Sequence, residues 1–201
     1  LRVNSHSFVK TSLFFFFLLI TLPLAQAQRP AAGWSAGQVA LAGDTWQTGL
    51  VRYNADLSLL ELAADGVVQT LSPRKVTAFS FYDGAEGRYR HFVSRPFRER
   101  KGRVLPTYFE LVVDGRVQLL ARERMQRSAL LRRFIGRGTN EYFLAYPEGD
   151  IIPYHGRLDQ LYYLLDDHRP EVEFFVNRVH WYQHDEKPIA ELVRFYNSLG
   201  E

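Results

Sequence analysis

The hydrophobic period of this chain changes once, near residue 157, and that change constrains the fold more than any other feature. Before it, apolar residues come in short runs separated by turn dipeptides. After it, they recur at three- and four-residue spacing. Short runs joined by tight turns give antiparallel strands, and a 3.6-residue period gives amphipathic helices. Strands first and helices last predict an α+β fold with the two element types segregated along the chain.

In the strand half, residues 38–41, 45–53, 57–62, 67–71 and 75–81 read as five short strands, with a tight-turn signal at Ala64-Asp65-Gly66. Such a set predicts a small antiparallel meander or a partly closed barrel. Residues 89–94, 107–113, 116–121, 141–146 and 151–154 form a second β group. Asp114-Gly115 is a strong hairpin signal, and residues 147–150 mark another turn. Residues 95–106 read as a long, polar, basic loop.

In the tail, Leu158, Leu161, Tyr162 and Leu165 share one helical stripe. Val172, Phe175, Val176 and Val179 share a second, and Ile189, Leu192, Val193 and Tyr196 a third. Pro170 falls in the first turn of the second helix, where its missing N–H is tolerated. Asp185 caps the third. Helices this short need packing to hold them. They either cover the open face of the β part or form a small unit beside it. The expected division is a β region over 37–156 and a helical region over 157–201.

The first residues carry an address. Arg2 and Lys10 precede an apolar stretch of 12 residues, 13–24, and Ala25 and Ala27 follow. That order predicts a signal peptide over 1–27, cleaved before Gln28, with a flexible leader over 28–36. The apolar stretch is too short for the roughly 20 residues of a spanning helix. The protein is therefore expected to be exported to the periplasm or the cell surface, with no transmembrane segment after cleavage.

Charge is distributed in blocks. Residues 88–137 carry a net charge of +10, residues 138–201 one of −7, and residues 28–87 one of −2. A basic middle block either meets an anionic partner or faces the acidic tail within the molecule. The binding candidates in the basic loop are Arg95, Arg98, Arg100 and Arg103. They suit an anionic lipid or polysaccharide; export makes nucleic acid an unsuitable partner.

The motifs that suggest chemistry have simpler structural readings. Gly33-Trp34-Ser35-Ala36-Gly37 matches G-x-S-x-G, but a strand follows it where a nucleophile elbow needs a helix. His180 and His184, four apart, are weak metal candidates; a third ligand would have to come from Asp185, His168 or elsewhere. The acidic pairs Asp166/Asp167 and Asp185/Glu186 sit at helix ends, and Glu148 and Asp150 sit in a turn. With no cysteine in the chain, thiol catalysis is absent. No catalytic residue, metal or cofactor is assigned. Tyr163, Phe174, Trp181 and Phe195 fall off the main helical stripes. They predict burial on two sides or an interface, where aromatic residues and arginine dominate the contacts.

Five segments carry a resemblance. Residues 37–41 (GQVAL), 49–53 (GLVRY) and 75–79 (KVTAF) form a G-x-V-x-L, G-x-V-x-Y, x-V-x-x-F series. Residues 108–115 (YFELVVDG) are similar to an "FFEVLVEGK" hairpin, and residues 192–199 (LVRFYNSL) to an "ivxyYNsL" terminus. Together they resemble a family of uncharacterised exported proteins of Bacteroidota. The resemblance spans nearly all of residues 28–201. It implies envelope localisation and carries no activity.

These readings converge on an exported, non-catalytic envelope protein, a module that binds a protein or another ligand. Its partner is expected to be another envelope protein or an anionic envelope component. Two alternatives stand beside it: a hydrolase acting on envelope carbohydrate or peptide, and a binder of anionic lipid or polysaccharide through an arginine-rich surface.

Overall fold

The computed structural model describes residues 33–43, 45–99, 102–123, 140–146, 149–179 and 186–200. These residues contain ten strands: β1 (Ser35–Leu41), β2 (Thr45–Asn54), β3 (Leu59–Ala64), β4 (Val67–Leu71), β5 (Val76–Asp83), β6 (Arg88–Arg98), β7 (Val104–Val113), β8 (Gln118–Glu123), β9 (Asn140–Ala145) and β10 (Ile151–Tyr154). All belong to one antiparallel sheet in the order β10-β9-β8-β7-β6-β5-β1-β2-β3-β4.

Local turn chemistry explains most of this order. Asp65 and Gly66 both take positive φ, 51° and 76°, as a two-residue hairpin turn requires. The exception is β5, which returns to pair with β1 on the side away from β2. Ala42 N–H donates to Lys75 O at 2.9 Å and holds the start of β5 beside the end of β1.

The sheet is strongly bent. Tyr53 on β2 meets the rings of Phe92 on β6 and Tyr108 on β7, at centroid distances of 4.8 and 5.9 Å. Those strands are three and four places away in a sheet whose strands are spaced by about 4.8 Å. The bend creates an inner face, on which Val39, Val51, Leu60, Leu62, Phe79, Phe92 and Tyr108 pack together. It does not close by pairing: among the described residues, β4 bonds only to β3 and β10 only to β9.

The other half of the sheet is covered by helices. They are α1 (Leu158–Leu164), a 3-10 turn at Asp166–His168, α2 (Arg169–Arg178) and α3 (Glu186–Ser198). Pro170 lies at the start of α2. Leu161, Leu165, Val172, Ile189, Leu192 and Tyr196 bury their stripes on Val113, Leu119 and Leu144 of β7, β8 and β9. The helices therefore lie on the β part. On the opposite sheet face, Phe97, Phe109, Leu120 and Phe143 form a third cluster. Among the described residues, no helix is long and apolar enough to cross a membrane.

Two boundaries differ from expectation. Residues 95–106 are not a long loop: β6 runs through Arg98, β7 starts at Val104, and Pro96 pairs with Pro106. The β5 pairing of β6 ends at Val93, and the β8 pairing of β7 starts at Glu110. Both prolines thus sit where the hairpin projects beyond its neighbours and no ladder bond is lost. β1 also starts at Ser35, inside the stretch read as leader.

Candidate functional site

The described arginines of the basic block make contacts within the chain. Arg95 lies in β6 and donates to Gln118 Oε1 at 3.2 Å, to Tyr146 O at 3.2 Å and to Gly149 O at 3.3 Å. It ties the β9–β10 turn to β6. Arg98 donates to Gly102 O at 3.3 Å, and Arg103 pairs with Glu99 at 3.5 Å. Arg122 pairs with Glu141 at 2.7 Å. Its guanidinium also stands over Phe97, Phe109 and Phe143 at 5.0, 5.9 and 5.4 Å. Arg100 and residues 124–137 lie outside the described residues.

A buried ion cluster inside the bend has no counterpart in the sequence reading. Arg90 is 8% exposed and Glu110 4%. Arg90 donates to Glu110 Oε2 from Nε at 3.1 Å and from Nη2 at 2.6 Å, while Nη1 reaches Asp83 at 3.3 Å. Arg88 takes the other Glu110 oxygen at 2.7 Å. Burial alone would lower the Arg90 pKa, but the bonds and charge of Glu110 outweigh it and raise it. Oε2 of Glu110 is thus held by two Arg90 hydrogen bonds, whereas Oε1 faces Arg88 as an ion pair and accepts no hydrogen bond among the described residues. The sequence signal was Glu110 itself, a lone charge inside the apolar run 108–113. Its partner emerges only from the register that pairs Phe92 with Glu110 and Phe81 with Arg90. A pocket of about 360 Å3 opens beside the cluster, lined by Trp34, Tyr53, Phe81, Asp83 and Glu123. Burial pushes the Tyr53 hydroxyl well above its ordinary pKa.

The tail residues divide. Phe195 stacks on Phe175 at 4.9 Å and belongs to the helix packing. Tyr163 on α1 is 81% exposed and Phe174 on α2 58%. Arg178 stands over the Phe174 ring at 4.5 Å. Trp181, His180, His184 and Asp185 lie outside the described residues, as does Glu148. Among the described residues, no group of three or more His, Cys, Asp or Glu side chains could hold a metal ion. Asp167 has a structural place: it accepts from Tyr196 Oη at 2.6 Å and from Arg116 Nη1 at 2.8 Å. Ser35 is a strand residue of β1.

Exposed apolar side chains also lie on both faces of the sheet at its β2–β4 corner. Trp46 is 59% exposed, Val67 57% and Val68 59%. Trp46, Val67 and Gln69 line one pocket of about 440 Å3, together with Gln47, whose buried Oε1 has no hydrogen-bond partner among the described residues. The signal in the sequence was a tryptophan in a polar strand (TWQT) and an uncharged strand right after a tight turn.

Compared with models of known families, with curated proteins and with solved structures, the chain has no significant match.

Proposed function

We propose that the chain is an exported, non-catalytic binding module of the cell envelope, and that its partner is another envelope protein. One observation carries this reading. The helical layer leaves Tyr163 and Phe174 in water while Leu161 of α1, Leu165 just after it and Val172 of α2 are fully buried. Exposed aromatics with an arginine beside them, here Arg178 on Phe174, are the residue types that anchor protein interfaces.

Residues 1–27, read as a signal peptide, deliver the protein to the periplasm or the cell surface. The resemblance to exported Bacteroidota proteins supports the same compartment. The N-terminal strands, β1 to β5, are read as a partly closed barrel; the curvature that brings Tyr53 to Phe92 and Tyr108 supports that reading.

The test is photo-crosslinking in cells, with a photoreactive residue at position 163 or 174 and a control at Asp56, an exposed turn position. The expected result is one recurrent envelope protein captured from both helical positions and not from the control. Adducts with lipid or glycan alone, or none above the control, overturn the reading.

A further inference from the structure

We propose that β4 pairs with β4 of a second copy of this chain, antiparallel, across a two-fold axis at Gln69. The argument uses a different surface from the helical layer and is independent of the reading above.

Among the described residues the sheet has two edges, and one of them suits pairing better than the other. β10 is four residues long and carries Pro153, which has no N–H to offer a neighbour. β4 pairs with β3 in an unbroken register from Leu60↔Leu71 to Ala64↔Val67. From Gly66 to Ser72 it holds neither proline nor charge. Edge strands in soluble proteins are commonly guarded by lysine, proline or a bulge. β4 has none of these and presents Val67 and Val68 to solvent.

Self-pairing fits the charges. Two copies of a charged edge would set like against like, and an uncharged strand avoids that cost. Pairing about Gln69 places Val68 opposite Thr70 of the partner subunit and Val67 opposite Leu71 of the partner subunit. Asp65, at one end of the strand, then approaches the turn that holds Arg74 and Lys75 of the partner subunit. Asp65, Arg74 and Lys75 are all exposed, so acidic and basic ends complement each other twice across the axis.

The register also keeps the faces correct. Pairing with β3 puts Val67, Gln69 and Leu71 on the face of Leu60 and Leu62, and Val68 and Thr70 on the other. Each proposed pair joins residues of one face, so no side chain changes sides. On the outer face Val68 ends a row through Ala63 and Leu50 to Ala36. A second copy continues that row, and the contact is closed by its own symmetry.

The test is sedimentation of the purified chain over a range of concentrations, with two variants. Wild type is expected to be a reversible dimer. Val68→Lys should weaken it ~10-fold or more, and at concentrations where both proteins are monomeric it should leave the melting midpoint unchanged, because Val68 is mostly exposed. The chain has no cysteine, so Gln69→Cys supplies one thiol per copy. A short bis-maleimide should couple two Gln69→Cys chains and leave Tyr163→Cys chains single. A monomer up to ~1 mM, the concentration that marks negligible affinity, overturns the proposal. So does a dimer indifferent to Val68→Lys, or coupling through position 163 in place of 69.

Discussion

Asn197, near the end of α3, binds both backbone groups of Val117, the residue just before β8. Its Oδ1 accepts from Val117 N–H at 2.9 Å, and its Nδ2 donates to Val117 O at 2.9 Å. Nδ2 also lies 3.3 Å from Asp114 O. The terminal helix thus holds the β7–β8 hairpin, although 80 residues separate the two in sequence. The asparagine of the YNSL segment and the turn of the VVDG segment, separate motifs in the sequence, form one joint.

Replacing Asn197 by alanine should destabilise the protein by about 1–3 kcal/mol, since the buried backbone of Val117 loses its partner. Gly115 should be coupled to it. Gly115 has φ +140°, and a Cβ there would fall against the Asn197 amide closer than real Cβ contacts come. Gly115→Ala should therefore cost less in the Asn197→Ala background than in wild type. Urea unfolding of the two single variants and the double variant checks this; strictly additive effects would contradict the joint.

Tail helices and hairpins were legible because their signals are local. The stripe Ile189, Leu192, Val193 and Tyr196 specifies α3 without its partner, and Asp114-Gly115 specifies its turn. The β6–β7 hairpin is hidden in the sequence because Pro96 and Pro106 suppress a strand reading, and only the third dimension places both beyond the neighbouring strands. The β1–β5 pairing and the Arg90–Glu110 contact follow from how the sheet bends, which no local pattern encodes. Exposure of Tyr163 and Phe174, and packing of Phe195, depend on how the helices lie against one another. A stripe count does not separate those outcomes.

The Arg90–Glu110 pair leads to an asymmetric prediction. Arg90→Met or Glu110→Leu alone leaves a buried charge without its main partner and should cost about 3–5 kcal/mol. The double variant should be more stable than either single one, because Arg88 is half-exposed and can rehydrate, and Asp83 keeps its bonds from the Ala85 and Glu86 N–H groups. Thermal unfolding of the three variants tests this. If the double variant falls as far as the sum of the single ones, the pair does not act as a unit.

Asp167 should make stability depend on acid. The Tyr196 hydroxyl bond, and then Arg116, hold its pKa below the ordinary 3.8 despite the opposing effect of desolvation. A carboxylate depressed in the folded state adds stability that is present above the unfolded value and lost as pH falls through the folded one. The window therefore opens near 3.8 and runs downward. Asp167→Asn should lose less stability than wild type between neutral pH and strong acid, measured as urea midpoints across that range. Glu61 and Asp159 are also depressed, by Arg52 and Arg157. They remain in both proteins, so the difference isolates Asp167. Parallel curves for the two proteins would rule this contribution out.

The bend of the sheet should fail first at Gly37. Gly37 on β1 pairs with Gly49 on β2 and with Phe81 on β5. A Cβ on Gly37 would press on the Ser80 carbonyl and come within 2.9 Å of Val51 and 3.0 Å of Phe81. A Cβ on Gly49 would press on the Ala63 carbonyl. At each glycine the nearest obstruction is a backbone carbonyl oxygen, which a rotamer change cannot relieve. Close backbone approach is the physical reason for glycine inside a strand. Either Gly→Ala change should cost about 2–4 kcal/mol, at the upper end for single substitutions. It should also loosen the packing of Tyr53 against Phe92 and Tyr108, which depends on the same curvature. Gly43→Ala is the comparison: a Cβ there meets nothing within 4 Å, and only its φ of +100° is strained. Chemical denaturation with near-ultraviolet circular dichroism reads both effects. If Gly37→Ala costs no more than Gly43→Ala and leaves the aromatic signal intact, close approach at Gly37 does not set the bend.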